Sequence, residues 1–208
     1  MSIVFIHGLG QNSSSWAQTL SYLREQQQIE CPDLSILLRG KEATYVNLYK
    51  SFVDFCDSID EPLDLCGLSL GGILALNYAI DYPHKVKSIA LIGIQYEMPK
   101  LLLKFQNKIF KFLPNSTFEE IGLKKSDFIQ LTNSMLNLHF TDQLMAISCK
   151  ALIVCGEKDY VNKKASKKIA ELIPAAVLQL IPRAGHEVNV QAPKALAEIL
   201  EEFLRTRG

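Results

Sequence analysis

The sequence has no surplus of charge. Its 22 Lys and Arg balance 22 Asp and Glu, so the formal net charge is zero. Nucleic-acid binding calls for a basic patch, so that partner class is not expected. No apolar run approaches the roughly 20 residues that span a bilayer. Paired thiol motifs are missing as well. The five cysteines (Cys31, Cys56, Cys66, Cys149 and Cys155) are odd in number and show no CxxC spacing. They read as buried, reduced thiols rather than a zinc site. The opening "MSIVFIHG" enters a strand pattern with no basic stretch and no long apolar core. No signal peptide is therefore expected, and the expected location is cytoplasmic. Internal repeats, low-complexity tracts and flexible linkers are absent too.

What is present is a globular pattern. The 208 residues suit one large domain, 1–208, with a substantial core. Short apolar runs alternate with longer stretches of helical period. Strands are predicted at 2–6, 29–34 (weakened by Pro32), 62–67, 86–93, 150–156 and 176–182. The last three are predicted to be buried. Helices are predicted at about 14–27, 43–59 and 70–82, and from Pro193 onward. The 43–59 pattern carries Val46, Leu48, Phe52, Val53, Phe55 and Cys56. The last helix carries Leu196, Ile199, Leu200, Phe203 and Leu204 on one face. This alternation implies βαβ units and an α/β fold with a doubly wound, mostly parallel sheet. Residues 95–148 break it, with helical patterns and no convincing strand. That is too long for a connection, so an inserted helical cap or lid is expected.

The stretch "CGLSLGG" (66–72) follows a strand and opens a helix. Glycine costs about 1 kcal/mol in a helix interior relative to alanine, so its clustering here needs a reason. A nucleophilic serine must project from a sharp, strained strand-to-helix turn. Side chains at Gly67 and Gly71 would collide where strand and helix approach, and Gly72 fits the same packing. Ser69 then sits at a helix N-terminus, where the dipole favours developing negative charge.

Serine needs a base, and the chain has four histidines. His186, in "PRAGHEVNV", follows the last strand. His7, in "IHGLG", follows the first. His84 ends a helix, and His139 lies in the inserted region. Loops after the strand ends of a parallel sheet share one edge, where ligands bind. His186 is the expected base, and His7 is expected to shape its loop. Asp159, in "GEKDYV", is the expected acid orienting that base, with Glu157 and Glu97 as possible substitutes. The backbone N–H groups of Leu9 and Leu70 are the expected oxyanion donors, with Gly8 letting the first loop come close.

"HGLG", "GLSLGG", "GEKD" and "AGHE", in this order and each after a predicted strand, resemble the α/β-hydrolase family. The resemblance covers essentially the whole chain outside the inserted region. It implies Ser69 as nucleophile, Asp159 as acid, His186 as base, and Leu9 and Leu70 as oxyanion donors. Many members carry two further strands before the one bearing the HG loop. The sheet expected here therefore has about six parallel strands in the order 2-1-3-4-5-6, with helices on both faces. The ligand is expected at the switch point between strands 1 and 3.

Specificity is expected to come from 95–148. "KLLLKFQNKIFKFL" (100–113) is amphipathic, with Lys100, Lys104, Lys108 and Lys111 on one face. Leu101, Leu102, Phe105, Ile109, Phe112 and Leu113 populate the rest. A cap packed over an apolar acyl pocket is expected, without membrane contact. The expected activity is a serine esterase acting on a small ester with a modestly apolar acyl group. The alternative is elimination, C–C hydrolysis or perhydrolysis by the same residues. No cofactor, metal or nucleic acid is expected, and the chain is expected to be a monomer or homodimer.

Overall fold

The computed structural model describes residues 2–24, 28–59, 62–100, 103, 110, 112, 114–119, 122–174 and 176–205. Six strands form one sheet: β1 (Ser2–Ile6), β2 (Gln28–Glu30), β3 (Leu63–Leu68), β4 (Val86–Ile92), β5 (Lys150–Gly156) and β6 (Val177–Ile181). Their spatial order is β2-β1-β3-β4-β5-β6, and every pairing is parallel. This is the order expected, with β1 and β3 adjacent. Among the described residues the helices are α1 (Ala17–Ser21), α2 (Leu34–Leu37), α3 (Tyr45–Asp57), α4 (Leu70–Asp81), α5 (Ser116–Glu119), α6 (Lys125–Ser134), α7 (Lys163–Leu172), α8 (Val188–Gln191) and α9 (Pro193–Arg205).

Parallel strands read as continuous apolar runs because helices cover both faces. Alternation along each strand then sorts the side chains. Val4, Ile6, Leu65, Ile89, Leu91 and Ile153 face one cluster, packed by Leu48 and Phe52 of α3 and Leu74 of α4. Ile3, Phe5, Leu68, Ile92 and Val154 face the other, packed by Trp16 and by Leu196, Leu200 and Phe203 of α9. Ile199 and Leu204 pack at that cluster's margin, as the predicted face requires.

Several expectations are corrected. The strand predicted at 29–34 is only Gln28–Glu30. Pro32 has no N–H for the ladder, and Asp33 caps α2 by accepting from the Ser35 N–H at 2.9 Å. The helix predicted at 14–27 is a 3-10 turn, Ser13–Trp16, followed by α1, which stops at Ser21. Residues 25–27 lie outside the described residues. The strand predicted as buried at 176–182 is an edge strand, with Val177 47% and Leu180 37% exposed. Among the described strands it pairs only with β5, which leaves its outer backbone edge without a strand partner. Val46 of α3 is 58% exposed, whereas Leu48, Phe52 and Cys56 of the same pattern are buried. Cys31 and Cys149 are half-buried rather than buried, and all five cysteines are free thiols.

Between β4 and β5 the described residues contain α5, α6 and a 3-10 turn (Thr141–Ala146), and no strand of the sheet. Phe118 of α5 packs edge-on against Phe110 and Phe128, with ring centroids 6.2 and 5.2 Å away. Leu131, Met135, Phe140, Leu144 and Ile147 carry this segment into the main core. The amphipathic stretch 100–113 lies outside the described residues, apart from Lys100, Leu103, Phe110 and Phe112. No described helix is long and apolar enough to cross a membrane.

Candidate active site

β3 ends at Leu68 and α4 starts at Leu70, so Ser69 alone makes the turn. Its φ of 52° and ψ of −115° lie where a side chain costs about 1–3 kcal/mol. The turn is held on both sides. The Ser69 N–H donates to the Ile92 carbonyl at 2.8 Å, and its carbonyl accepts from the Ile73 N–H at 3.0 Å. The glycines explain how the chain fits. A Cβ on Gly67 would land on the Gly71 carbonyl, and one on Gly71 would land on the Ile6 carbonyl of β1. A Cβ on Gly72 would meet the Ile94 side chain and the Gly67 carbonyl.

Beyond β5 and β6, on the same sheet edge, Asp159 and His186 come together. His186 Nδ1 lies 2.7 Å from Asp159 Oδ2. A carboxylate only accepts, so the ring donates from Nδ1 and, when neutral, carries its lone pair on Nε2. The Asp159 side chain is 5% exposed and that of His186 40%, so the acid is shielded while the imidazole is open. Burial alone would push the Asp159 carboxyl up. Hydrogen bonds from His186 and Asn162 outweigh it, and the carboxyl sits below its ordinary value. Gly93, at φ 58°, backs the pair: a Cβ there would lie 3.1 Å from His186 Nδ1 and 3.3 Å from Asp159 Oδ2.

The other candidates are placed elsewhere. Glu157 accepts from the Arg183 N–H at 3.2 Å. Glu97 forms an isolated backbone bridge with His139. His84 lies in the turn Pro83–Lys85 that leads into β4, at the opposite edge. His7 has both ring nitrogens engaged. Nδ1 donates to the Gly8 carbonyl at 2.9 Å, and Nε2 accepts from the Leu34 N–H at 3.0 Å. It therefore fastens the first loop to α2.

That loop lies against the serine. A Cβ on Gly8 would sit 3.5 Å from Ser69 Cβ. Leu9 and Leu70 wall one narrow cleft of about 10 Å³, together with Leu34, Leu38, Leu123 and Leu131. Gln11 braces the loop from behind. Its Oε1 accepts from the Gly8 N–H at 3.3 Å and from Asn189 Nδ2 at 3.2 Å. Its Nε2 donates to Glu187 Oε1 at 3.1 Å, one residue past His186. Sequence reasoning missed Gln11, Asn189 and Asn162. Asn162 had a faint signal in its position three residues after Asp159. No local pattern pairs Gln11 with Asn189.

Two groups at this edge make the fold sensitive to acid. Burial holds the His7 imidazole below its ordinary value of 6.5, only partly offset by the Gly8 carbonyl and Asp33. Asp159 lies below its ordinary 3.8. In both cases the unfolded chain binds more protons. Their stabilisation is complete above the ordinary values and is lost as pH falls toward the folded ones. The urea midpoint should fall between pH 7 and 5 as His7 is driven to protonate, and again below about pH 4. A His7→Gln variant should show less of the first loss. An equal loss in that variant would remove His7 from the account.

The serine turn and the His186–Asp159 pair thus lie at the same edge of the sheet. No group of three or more His, Cys, Asp or Glu that could hold a metal ion occurs among the described residues. Comparison with known proteins agrees on the fold. A Bacillus subtilis (strain 168) protein, provisionally named 2-succinyl-6-hydroxy-2,4-cyclohexadiene-1-carboxylate synthase, is 21% identical over 98% of this chain and 90% of its own. Mouse monoacylglycerol lipase ABHD6 is 21% identical over 98% of this chain and 75% of its own. The esterase of Exiguobacterium antarcticum superposes with a TM-score of 0.83 at 16% identity, covering 99% of this chain and 92% of the other. Residues 3–199 match the model of the alpha/beta hydrolase family. The chain belongs to that family and is an enzyme of it.

Proposed function

We propose that the protein is a serine hydrolase of small carboxylic esters with a modestly apolar acyl group. One arrangement carries this reading: the strained Ser69 turn opens onto the sheet edge that holds the His186–Asp159 pair. Ser69 Oγ attacks the ester carbonyl while His186 Nε2 takes its proton. Asp159 steadies the imidazolium. The oxyanion is held by the N–H groups of Leu9 and Leu70, at the N-terminus of α4. As the C–O bond breaks, His186 protonates the leaving alcohol. Water, deprotonated by His186, then attacks the acyl-serine, and Ser69 regains its proton as the acid departs.

Residues 95–148 act as the cap in this reading. Leu123 and Leu131 come from that segment and roof the cleft beside Leu9 and Leu70. The described residues lining the cleft include no Lys or Arg. The apolar side chains of Leu9, Leu34, Leu38, Leu70, Leu123 and Leu131, gathered beside the Gly8 loop, support a neutral acyl group over a carboxylate-bearing one. A series of p-nitrophenyl esters of rising acyl length tests this. The expected result is a burst of nitrophenol stoichiometric with enzyme, greatest for short chains. A folded protein that turns over none of them would overturn the reading. The synthase name of the Bacillus relative favours, as a second reading, elimination rather than ester hydrolysis by the same residues. That chemistry would give no burst.

A further inference from the structure

The side chain of Asn162 has no part in the scheme above, yet it is buried against both members of the acid–base pair. Its Nδ2 donates to Asp159 Oδ2 at 2.8 Å and to Oδ1 at 3.0 Å, and lies 3.1 Å from His186 Nδ1. Its backbone N–H adds a bond to Oδ1 at 3.2 Å. Asp159 Oδ2 is thus shared between the imidazole and an amide. The amide can serve only in one orientation, because a flipped Asn162 would turn its own oxygen toward the carboxylate. Gln95 decides that orientation. Its Nε2 donates to Asn162 Oδ1 at 2.8 Å and to the Val161 carbonyl at 3.1 Å. Gln95 stands two residues past Gly93, where the chain leaves β4 for the inserted segment.

We propose that Asn162, oriented by Gln95, is a positioning residue: it shares the Asp159 carboxylate with His186 and so limits how strongly that carboxylate holds the imidazolium. The inference rests on the proposed Ser69–His186–Asp159 triad. An amide that bonds both carboxylate oxygens fixes the plane in which Oδ2 meets Nδ1. It also draws on the carboxylate charge that would otherwise bear on the ring alone. Other ionisable groups among the described residues lie near the pair. Cys155, at the end of β5, has a thiol that burial pushes up to about 11. Lys163 Nζ, at the head of α7, is bound to the Glu157 carbonyl, and Glu187 is bound by Gln11. Gly93 contributes no side chain.

The test compares wild type, Asn162→Leu and Gln95→Leu by kinetics across pH. Asn162→Leu should lower kcat by about ten- to a hundredfold, the range for losing a hydrogen bond to a charged group. KM should stay within about twofold, since no substrate contact is removed. The acidic limb of kcat/KM should move to higher pH, because the unshared carboxylate retains the imidazolium longer. Gln95→Leu should move both readings the same way by less. A merely structural role would lower the melting temperature and leave the limb in place. An unchanged limb in either folded variant overturns the proposal. If Asn162→Leu does not fold, Gln95→Leu decides alone. A wild type with no ester turnover and no labelling of Ser69 would instead defeat the triad itself.

Discussion

Ser69→Ala should leave a folded protein whose kcat for esters falls on the order of 10⁶-fold. The substitution removes the one oxygen that can form the acyl-enzyme. His186 and Asp159 would keep their contact but have no alcohol to deprotonate. Any remaining activity would come from the oxyanion donors and from binding alone. The fold should not object. Alanine keeps the Cβ, so the strain at φ 52° stays as it is and the melting temperature should barely move. A fluorophosphonate probe makes the assay direct. Intact mass should show one adduct on wild type and none on the variant. Equal labelling of the variant would sink the acyl-enzyme mechanism.

Gly71→Ala should act on the fold rather than the chemistry, with an expected loss of about 3 kcal/mol or more. The new methyl would press on the carbonyls of Ile6 and His7, which are backbone atoms and cannot swing aside. Either α4 shifts off the sheet or β1 moves, and β1 carries the loop beside Ser69. Alanine offsets little of this, since a less flexible unfolded chain contributes only about 0.4–1 kcal/mol. For a chain of this size the melting temperature should drop by about 10 °C. Gly8→Ala is the matched control. Its methyl would find only ordinary contacts at 3.5 Å, so its stability should stay close to wild type. Equal losses in the two variants would refute the steric explanation.

The legible parts of this sequence were those set by local chemistry. Strand-length apolar runs marked β1, β3, β4 and β5, because a sheet covered on both faces needs them. The three glycines around Ser69 marked the turn, because each fills a space that admits no side chain. Three kinds of feature were hidden. Strand position in the sheet does not show in a strand's own residues, so β6 read as buried although it lies at the edge. Whether an apolar residue finds a partner depends on distant packing, so Val46 was indistinguishable in the pattern from the residues that are buried. Hydrogen bonds between remote segments leave no spacing behind. Hence Gln11 with Asn189, and Gln95 with Asn162, emerged only once the loops were in place.

The strand order also divides the proposed site between two parts of the chain. β6 is the last strand in sequence and the outermost on its side of the sheet. The other five precede it in the chain. The Ser69 turn, held by β1, β3, β4 and α4, belongs to that earlier part. The imidazole comes only with the loop after β6. The hydroxyl is thus placed by early strands and its expected base by the loop after the last one. On the proposed mechanism, the segment that follows β6 is what makes the nucleophile reactive.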